Sequence, residues 1–447
     1  MRLLSNAGAA VKTILPALLS SLFLATSAAL ATDPWRPLVH DPRKLLGTLS
    51  CASATCHGRN EPLRSLGTIE RQEYLHFLGA DPHAQAARRM SEPRFQEVLA
   101  RLKPEAPAKE PADQPSLARQ ASIAAERCAS CHDPLGLASN ATHVPLGRGI
   151  GCESCHGAAH DWLAVHFEQG ISRDRLRELG LIDTKQVLVR ARVCASCHVG
   201  GEGRDVNHDL LAAGHPPLRF ELASHQALID RKHWNDAPRR TAEPNYEVQL
   251  WAAGRIASAD AALTLLESRA RPAGQIAPWP EFAESDCRAC HQPLRPQTNG
   301  SRGALTWQSW NVALAPPVPA LAALRFEMQR SLVPPKDQIA QLAAEARTAL
   351  RQSVRLSASG QILTPDGVPL DAQGALQQLS VNQGPTNWET ACQELAALLA
   401  AGPSTGGELQ CVHRLAAGLR LDFPPLAEIE AELAAVRREM SENRRQP

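Results

Sequence analysis

Four stretches of this 447-residue chain read Cys-x-x-Cys-His: Cys128-Cys131-His132, Cys152-Cys155-His156, Cys194-Cys197-His198 and Cys287-Cys290-His291. The spacing puts two thiols about one helical turn apart with an imidazole directly behind them. That is the attachment signature of c-type haem. The thiols add across the two vinyl groups of the porphyrin, and the histidine lies over the iron as proximal ligand. Zinc-binding pairs, or the disulfides of an exported protein, also use many cysteines. Neither requires a histidine straight after the second cysteine, and histidine fills only 16 of 447 positions. All four stretches are therefore expected to carry covalent haem.

A fifth stretch, CASATCHG at 51–58, keeps the order but separates Cys51 from Cys56 by four residues before His57. The extra residues can loop out, because the thioether bonds fix only the two sulfur positions. With four regular sites in the same chain, a fifth attachment site is expected. The competing reading is a Cys51–Cys56 disulfide with His57 incidental.

Each iron also needs a distal ligand, or an empty position that does chemistry. Beyond the leader, only Met90, Met328 and Met440 are available as methionine ligands, so the eleven histidines outside the triples make bis-histidine ligation the economical expectation. In GADPHAQA, Asp81 reads as a helix cap with Pro82 in the first turn and His83 just inside it; His76 ends the preceding segment. His143 lies nine residues before Cys152, His160 and His166 follow the Cys152 motif, and NHDLLAAGHPP offers His208 and His215.

The elements that position these groups are expected to be mainly α. Residues 32–300 hold all five triples and read as a loop-rich pentahaem cytochrome c domain; residues 301–447 hold none and read as a helical C-terminal domain. LKPEAPAKEPADQP (102–115) reads as an exposed connection. EVQLWAAGRIASADAALTLLESRA (247–270) predicts a long helix, with Trp251, Ile256, Leu263 and Leu266 loosely on helical spacing. Beyond residue 301, apolar periodicity predicts helices in KDQIAQLAAEARTALRQSV, NWETACQELAALLAA and PLAEIEAELAAVRREM, and the Asp-Gly of ILTPDGVPLD predicts a small hairpin. Cys392 and Cys411 flank GPSTGG and are expected to form a disulfide clamping two helices. Cys411-Val-His413 is no haem motif, since no cysteine stands three residues before it.

The first 31 residues read as a secretory signal peptide: Arg2 and Lys12 in front, TILPALLSSLFLA as the apolar centre, and Ala29-Leu30-Ala31 as the exit. Cleavage is expected before Thr32, giving a periplasmic or otherwise exported, soluble protein. Basic and acidic residues nearly balance, 47 against 46, which argues against nucleic acid as a partner. Aromatics are few, with 8 Trp, 8 Phe and 2 Tyr, so haem itself is expected to fill much of the core. Two propionates per haem would add about ten negative charges, which suits a basic or haem-exposing partner.

GIGCESCHGAA (149–159) and DPHAQA (81–86) resemble segments of the multihaem cytochromes c related to the tetrahaem protein that takes electrons from hydroxylamine oxidoreductase. CASATCH, CHGAAHDWLAVH, NHDLLAAGHPPLRFE and DCRACH are similar to segments of a looser group of exported multihaem cytochromes. The resemblance spans about residues 45 to 295. It implies that His83, His143, His166, His208 and His215 are the distal ligands, and favours His166 over His160. It also implies electron transfer, with a redox protein or a membrane quinone-linked complex as partner. The tetrahaem relative has no counterpart of the Cys287 site, and one of its haems lacks a second protein ligand. The alternative is a redox enzyme acting on a small nitrogen or sulfur compound at one open haem. Hydroxylamine-oxidising relatives use a tyrosine cross-linked to the catalytic haem, yet only Tyr74 and Tyr246 exist here and neither follows the last motif. The Cys-x-x-Cys-Lys of nitrite-reducing relatives is absent. The C-terminal helices are expected either to dock the protein in an assembly or to cap the haem domain.

Overall fold

A computed structural model describes residues 33–38, 41–60, 71–102, 122, 127–142, 146–228, 236–271, 278–287, 291, 306–308, 310–375, 388–401, 431 and 434. The protein is mainly α. The helices used below are α1 (Glu73–Ala80), α2 (Pro93–Arg101), α3 (Val187–His198), α4 (His208–Ala213), α5 (Leu222–Leu228), α6 (Tyr246–Ala270), α7 (Pro319–Arg330), α8 (Lys336–Ser353) and α9 (Trp388–Ala401). Among the described residues no helix is long and apolar enough to cross a membrane.

Helix α6 is the axis of the molecule. It spans the predicted stretch, but it is buried on nearly every side, including Gln249, Arg255, Ser258 and Asp260. A helix buried all round shows no apolar stripe, which is why its periodicity in the sequence is loose. It packs against α3, α5, α8 and α9. Its run of small residues, Ala252, Ala253, Gly254, Ala257 and Ala259, lets neighbouring backbones approach. A Cβ on Gly254 would lie 2.7 Å from Leu222 Cβ.

Buried polar groups on α6 bind the chain on either side. Arg255, 1% exposed, donates to the carbonyls of Trp310 (2.8 Å) and Phe220 (3.1 Å), and burial lowers its pKa to about 10. Gln249 donates to the carbonyls of Ile362 and Leu370 and accepts from the Ile362 amide. These bonds dock a hairpin on α6: β1 (Arg355–Leu356) pairs antiparallel with β2 (Ile362–Leu363), and the Asp-Gly turn follows, with Gly367 N–H donating to the Thr364 carbonyl.

The sequence-predicted helices at 336–354 and 387–401 appear as α8 and α9. Ile339, Ala340, Ala343, Ala346 and Leu350 of α8 pack with Ala259, Leu263 and Leu266 of α6. Cys392, Leu395, Ala396 and Leu399 of α9 share a core with Trp251 of α6 and Leu188 and Ala191 of α3. Cys411, and hence the proposed Cys392–Cys411 disulfide, lies outside the described residues, as do residues 1–32, the 103–115 connection and most of 425–440.

Candidate functional site

The local chain explains how each motif is presented. Glu153, inside the Cys152 motif, is 1% exposed and accepts from the amides of Leu46, Gly47 and Ala159. It thereby ties the approach to Cys51 onto the third motif. The glycines around that motif are required by close contact. A Cβ on Gly151 would lie 2.0 Å from Thr48 Oγ1, and Gly157, at φ 85°, would put one 2.4 Å from the Gly180 carbonyl oxygen. The fourth motif is the last turn of α3, held against α6.

The motifs interlock. The Cys51 thiol lies close beside that of Cys152, and the Cys131 thiol beside that of Cys197. Cys155 lies within electrostatic reach of Cys194 and Cys197. The spatial order of these motifs is therefore first, third, fourth, second. In a haem-loaded protein these sulfurs are thioethers; as thiols they show how tightly the motifs abut. The thiol of Cys152 pulls the Cys51 pKa down to about 6, and that of Cys131 does the same to Cys197. Cys152 and Cys131 are themselves pushed up, and burial lifts Cys194 to about 12.

Two distal candidates lie beside motif histidines. The ring centroids of His57 and His166 are 6.2 Å apart, with 16° between the planes. Those of His83 and His198 are 6.0 Å apart, at 89°. An imidazole nitrogen binds a metal at roughly 2 Å, and the ring centre lies about 1.2 Å further on, so trans ligands have centroids about 6.4 Å apart. His215 lies close enough to His132 to be electrostatically coupled to it. His208 meets Phe282 edge-on at 5.8 Å, and its amide donates to Glu281, five or six residues before Cys287. The two histidines of the NHDLLAAGH segment thus face different ways, one to the second motif and one to the approach to the fifth.

The imidazoles are oriented from behind. The Nδ1 of His57 donates to Glu73 Oε2 (3.0 Å), that of His83 to Asp81 Oδ1 (2.8 Å), that of His166 to the Leu163 carbonyl (2.6 Å) and that of His215 to the Pro216 carbonyl (2.7 Å). Each acceptor has no proton to give, so Nδ1 carries the hydrogen and Nε2 keeps its lone pair for a metal. His132 donates to the Ala86 carbonyl. His160 instead pairs with Asp161 at the surface, its side chain 61% exposed. His76 is half-buried with no ring neighbour described. His156 is half-buried behind Cys155, and His291 closes a helical turn on the Cys287 carbonyl. His143 and Cys290 lie outside the described residues.

Residues 72–157 match the family model for cytochrome c554 and c-prime. The match supports a c-type cytochrome. It runs from the residue before α1 through His83 and the second and third motifs to the glycine after His156. No curated protein and no solved structure matches the chain. A c-type cytochrome implies covalently bound haem, and the residues fit one. Two histidine pairs lie beside cysteine pairs with ring centroids 6.2 and 6.0 Å apart, and the large apolar side chain of Phe167, against His166, is 73% exposed. Among the described residues, no three Cys, His, Asp or Glu side chains converge as a metal cluster.

Some neighbours of the motifs were not singled out in the sequence. His225 on α5 lies 5.4 Å from His198, and Phe220 stacks on His198 at 5.2 Å. Between the third and fourth motifs and α6 is a cavity of about 510 Å³ whose lining includes Ser154, Ser196, Ala257, Arg192, Arg204 and Arg351. Arg351 is paired with Asp260, while Arg192 and Arg204 donate to backbone and serine oxygens. Only the basic spacing of α3 and its flanks hints at this in the sequence.

Proposed function

We propose that the protein is an exported multihaem c-type cytochrome that carries electrons through about five closely packed, mostly bis-histidine haems. The observation that carries this reading is the contact of cysteines from different motifs, Cys51 with Cys152 and Cys131 with Cys197. When bound, haem c supplies a one-electron iron couple at each motif. The chain fixes the spacing between those couples: Glu153 locks the first motif to the third, and α6 holds the fourth in place. His57 with His166, and His83 with His198, would each supply two imidazoles to one iron, which favours a carrier over catalysis at those sites. His132 with His215 would do the same at the second motif. Arg192 and Arg204 present guanidinium groups of the kind that pair with propionates. A redox protein or a membrane quinone-linked complex is the partner class this reading implies.

Mass measurement of the purified haem-loaded protein tests the count. Five covalent haems are expected. Four would return Cys51 and Cys56 to the disulfide reading. Paramagnetic resonance tests the role: low-spin iron throughout supports a carrier, and a high-spin signal that shifts with nitric oxide or hydroxylamine would move the reading to catalysis at an open haem.

A further inference from the structure

Helix α1 has a carboxylate at each end, and each holds a different candidate ligand imidazole. Glu73, its first residue, accepts from His57 Nδ1 at 3.0 Å. Asp81, its C-cap, accepts from His83 Nδ1 at 2.8 Å and from the His83 amide at 2.9 Å. The pairings behind His166, His215 and His132 end instead on neutral carbonyls, those of Leu163, Pro216 and Ala86.

The difference has an electronic consequence. A hydrogen bond to an ionised acceptor is roughly twice as strong as a neutral one. It draws the Nδ1 proton away from the ring and makes Nε2 a better electron donor. A more donating ligand stabilises iron(III) over iron(II), and second-shell hydrogen bonding is one of the levers a protein has on haem potential. The negative charge itself, close to the ring, acts in the same direction.

We propose that Glu73 and Asp81 are positioning residues that lower the reduction potentials of the irons held by His57–His166 and His83–His198, relative to the iron held by His132 and His215. In each case iron(III) takes one electron to become iron(II), and the Nδ1 proton stays on the imidazole. An electron entering the first or fourth motif then runs downhill to the second, whose ligands have only carbonyl support. That motif borders α4, whose first residue, His208, lies against Phe282 on the approach to the fifth. The inference rests on the haem reading above.

The test is a potentiometric titration of the full-length, haem-loaded protein, followed by paramagnetic resonance, with Glu73→Gln and Asp81→Asn. Both substitutions keep an oxygen that can accept from Nδ1, and Asn remains a good helix cap, so only the charge is removed. Each variant is expected to raise the midpoint of one haem, by about tenfold in the reduction equilibrium, or 59 mV for a one-electron couple. The shifted signals should differ, Glu73→Gln acting on the iron with near-parallel rings and Asp81→Asn on the one with perpendicular rings. Asp81→Glu, which keeps the charge, should leave its midpoint close to that of the parent. Unshifted midpoints with the haem count intact would overturn the proposal, as would an equal shift at every haem or a shift in Asp81→Glu as large as in Asp81→Asn. A parent protein without covalent haem would instead sink the reading on which it rests.

Discussion

The ring of His57 lies nearly parallel to that of His166, at 16°, with 6.2 Å between centroids. His83 and His198 stand at almost the same separation but at 89°. The mutual angle of two axial imidazoles sets how the iron's lowest d orbitals split. Near-parallel rings give an ordinary rhombic low-spin signal, and perpendicular rings give a strongly anisotropic one with a single prominent low-field feature. The oxidised protein is therefore expected to show both types in its resonance spectrum. A spectrum with only one type would contradict the two geometries.

Replacing His166 by Ala should open one iron position, turning one haem high-spin while the covalent haem count stays the same. His160→Ala, six residues earlier, should leave the spectrum unchanged, because that side chain is 61% exposed and bonded to Asp161. Optical spectra of the two variants distinguish these outcomes. A high-spin band in His160→Ala would assign the ligand to the wrong residue of the pair.

Glu153 is expected to matter for stability more than for ligation. Its carboxylate accepts from the amides of Leu46, Gly47 and Ala159, the last two buried, and each buried amide left unpaired costs about 1–3 kcal/mol. Glu153→Ala should lower stability by roughly 3 kcal/mol, read from the denaturant midpoint. Glu153→Gln, with one oxygen still able to accept, should lose less. Equal midpoints for Ala and the parent would show that the first motif is anchored elsewhere.

The pair Arg190–Asp236 gives a pH dependence. Both are buried, at 2% and 5% exposure, and two guanidinium bonds join them at 2.6 and 3.2 Å. Burial pushes the Asp236 pKa up, but the bond and charge of Arg190 outweigh it, so the net shift is below the ordinary 3.8. A carboxylate with a depressed folded pKa contributes stability that is complete above its unfolded pKa, about 3.9, and is lost as pH falls through the folded value. Tm should hold steady from pH 7 to about 5 and drop below 4. In Asp236→Asn the part of that drop due to this residue should vanish. Asp236→Ala removes the counter-charge of the buried Arg190 and should cost about 3–5 kcal/mol. An acid limb unchanged in Asp236→Asn would refute the assignment.

The sequence by itself determined the chemistry. Covalent attachment is local, so Cys-x-x-Cys-His declares itself within five residues, and an amphipathic helix such as α8 announces its inner face by its 3.6-residue period. His83, His143, His166, His208 and His215 were legible only as candidates: the residue type and position near the motifs left His76 and His160 beside them, and the family resemblance made the choice. Tertiary structure alone decided which of them faces which motif. His83, placed before the second motif in the chain, meets His198 of the fourth; His57 of the first meets His166, beyond the third. Such pairings join residues far apart in sequence, and a ligand's identity carries no record of its partner. The same holds for Glu73 and Asp81, two ordinary acidic residues at the ends of a helix. They gain a role only because folding brings one imidazole ring nitrogen within 3 Å of each.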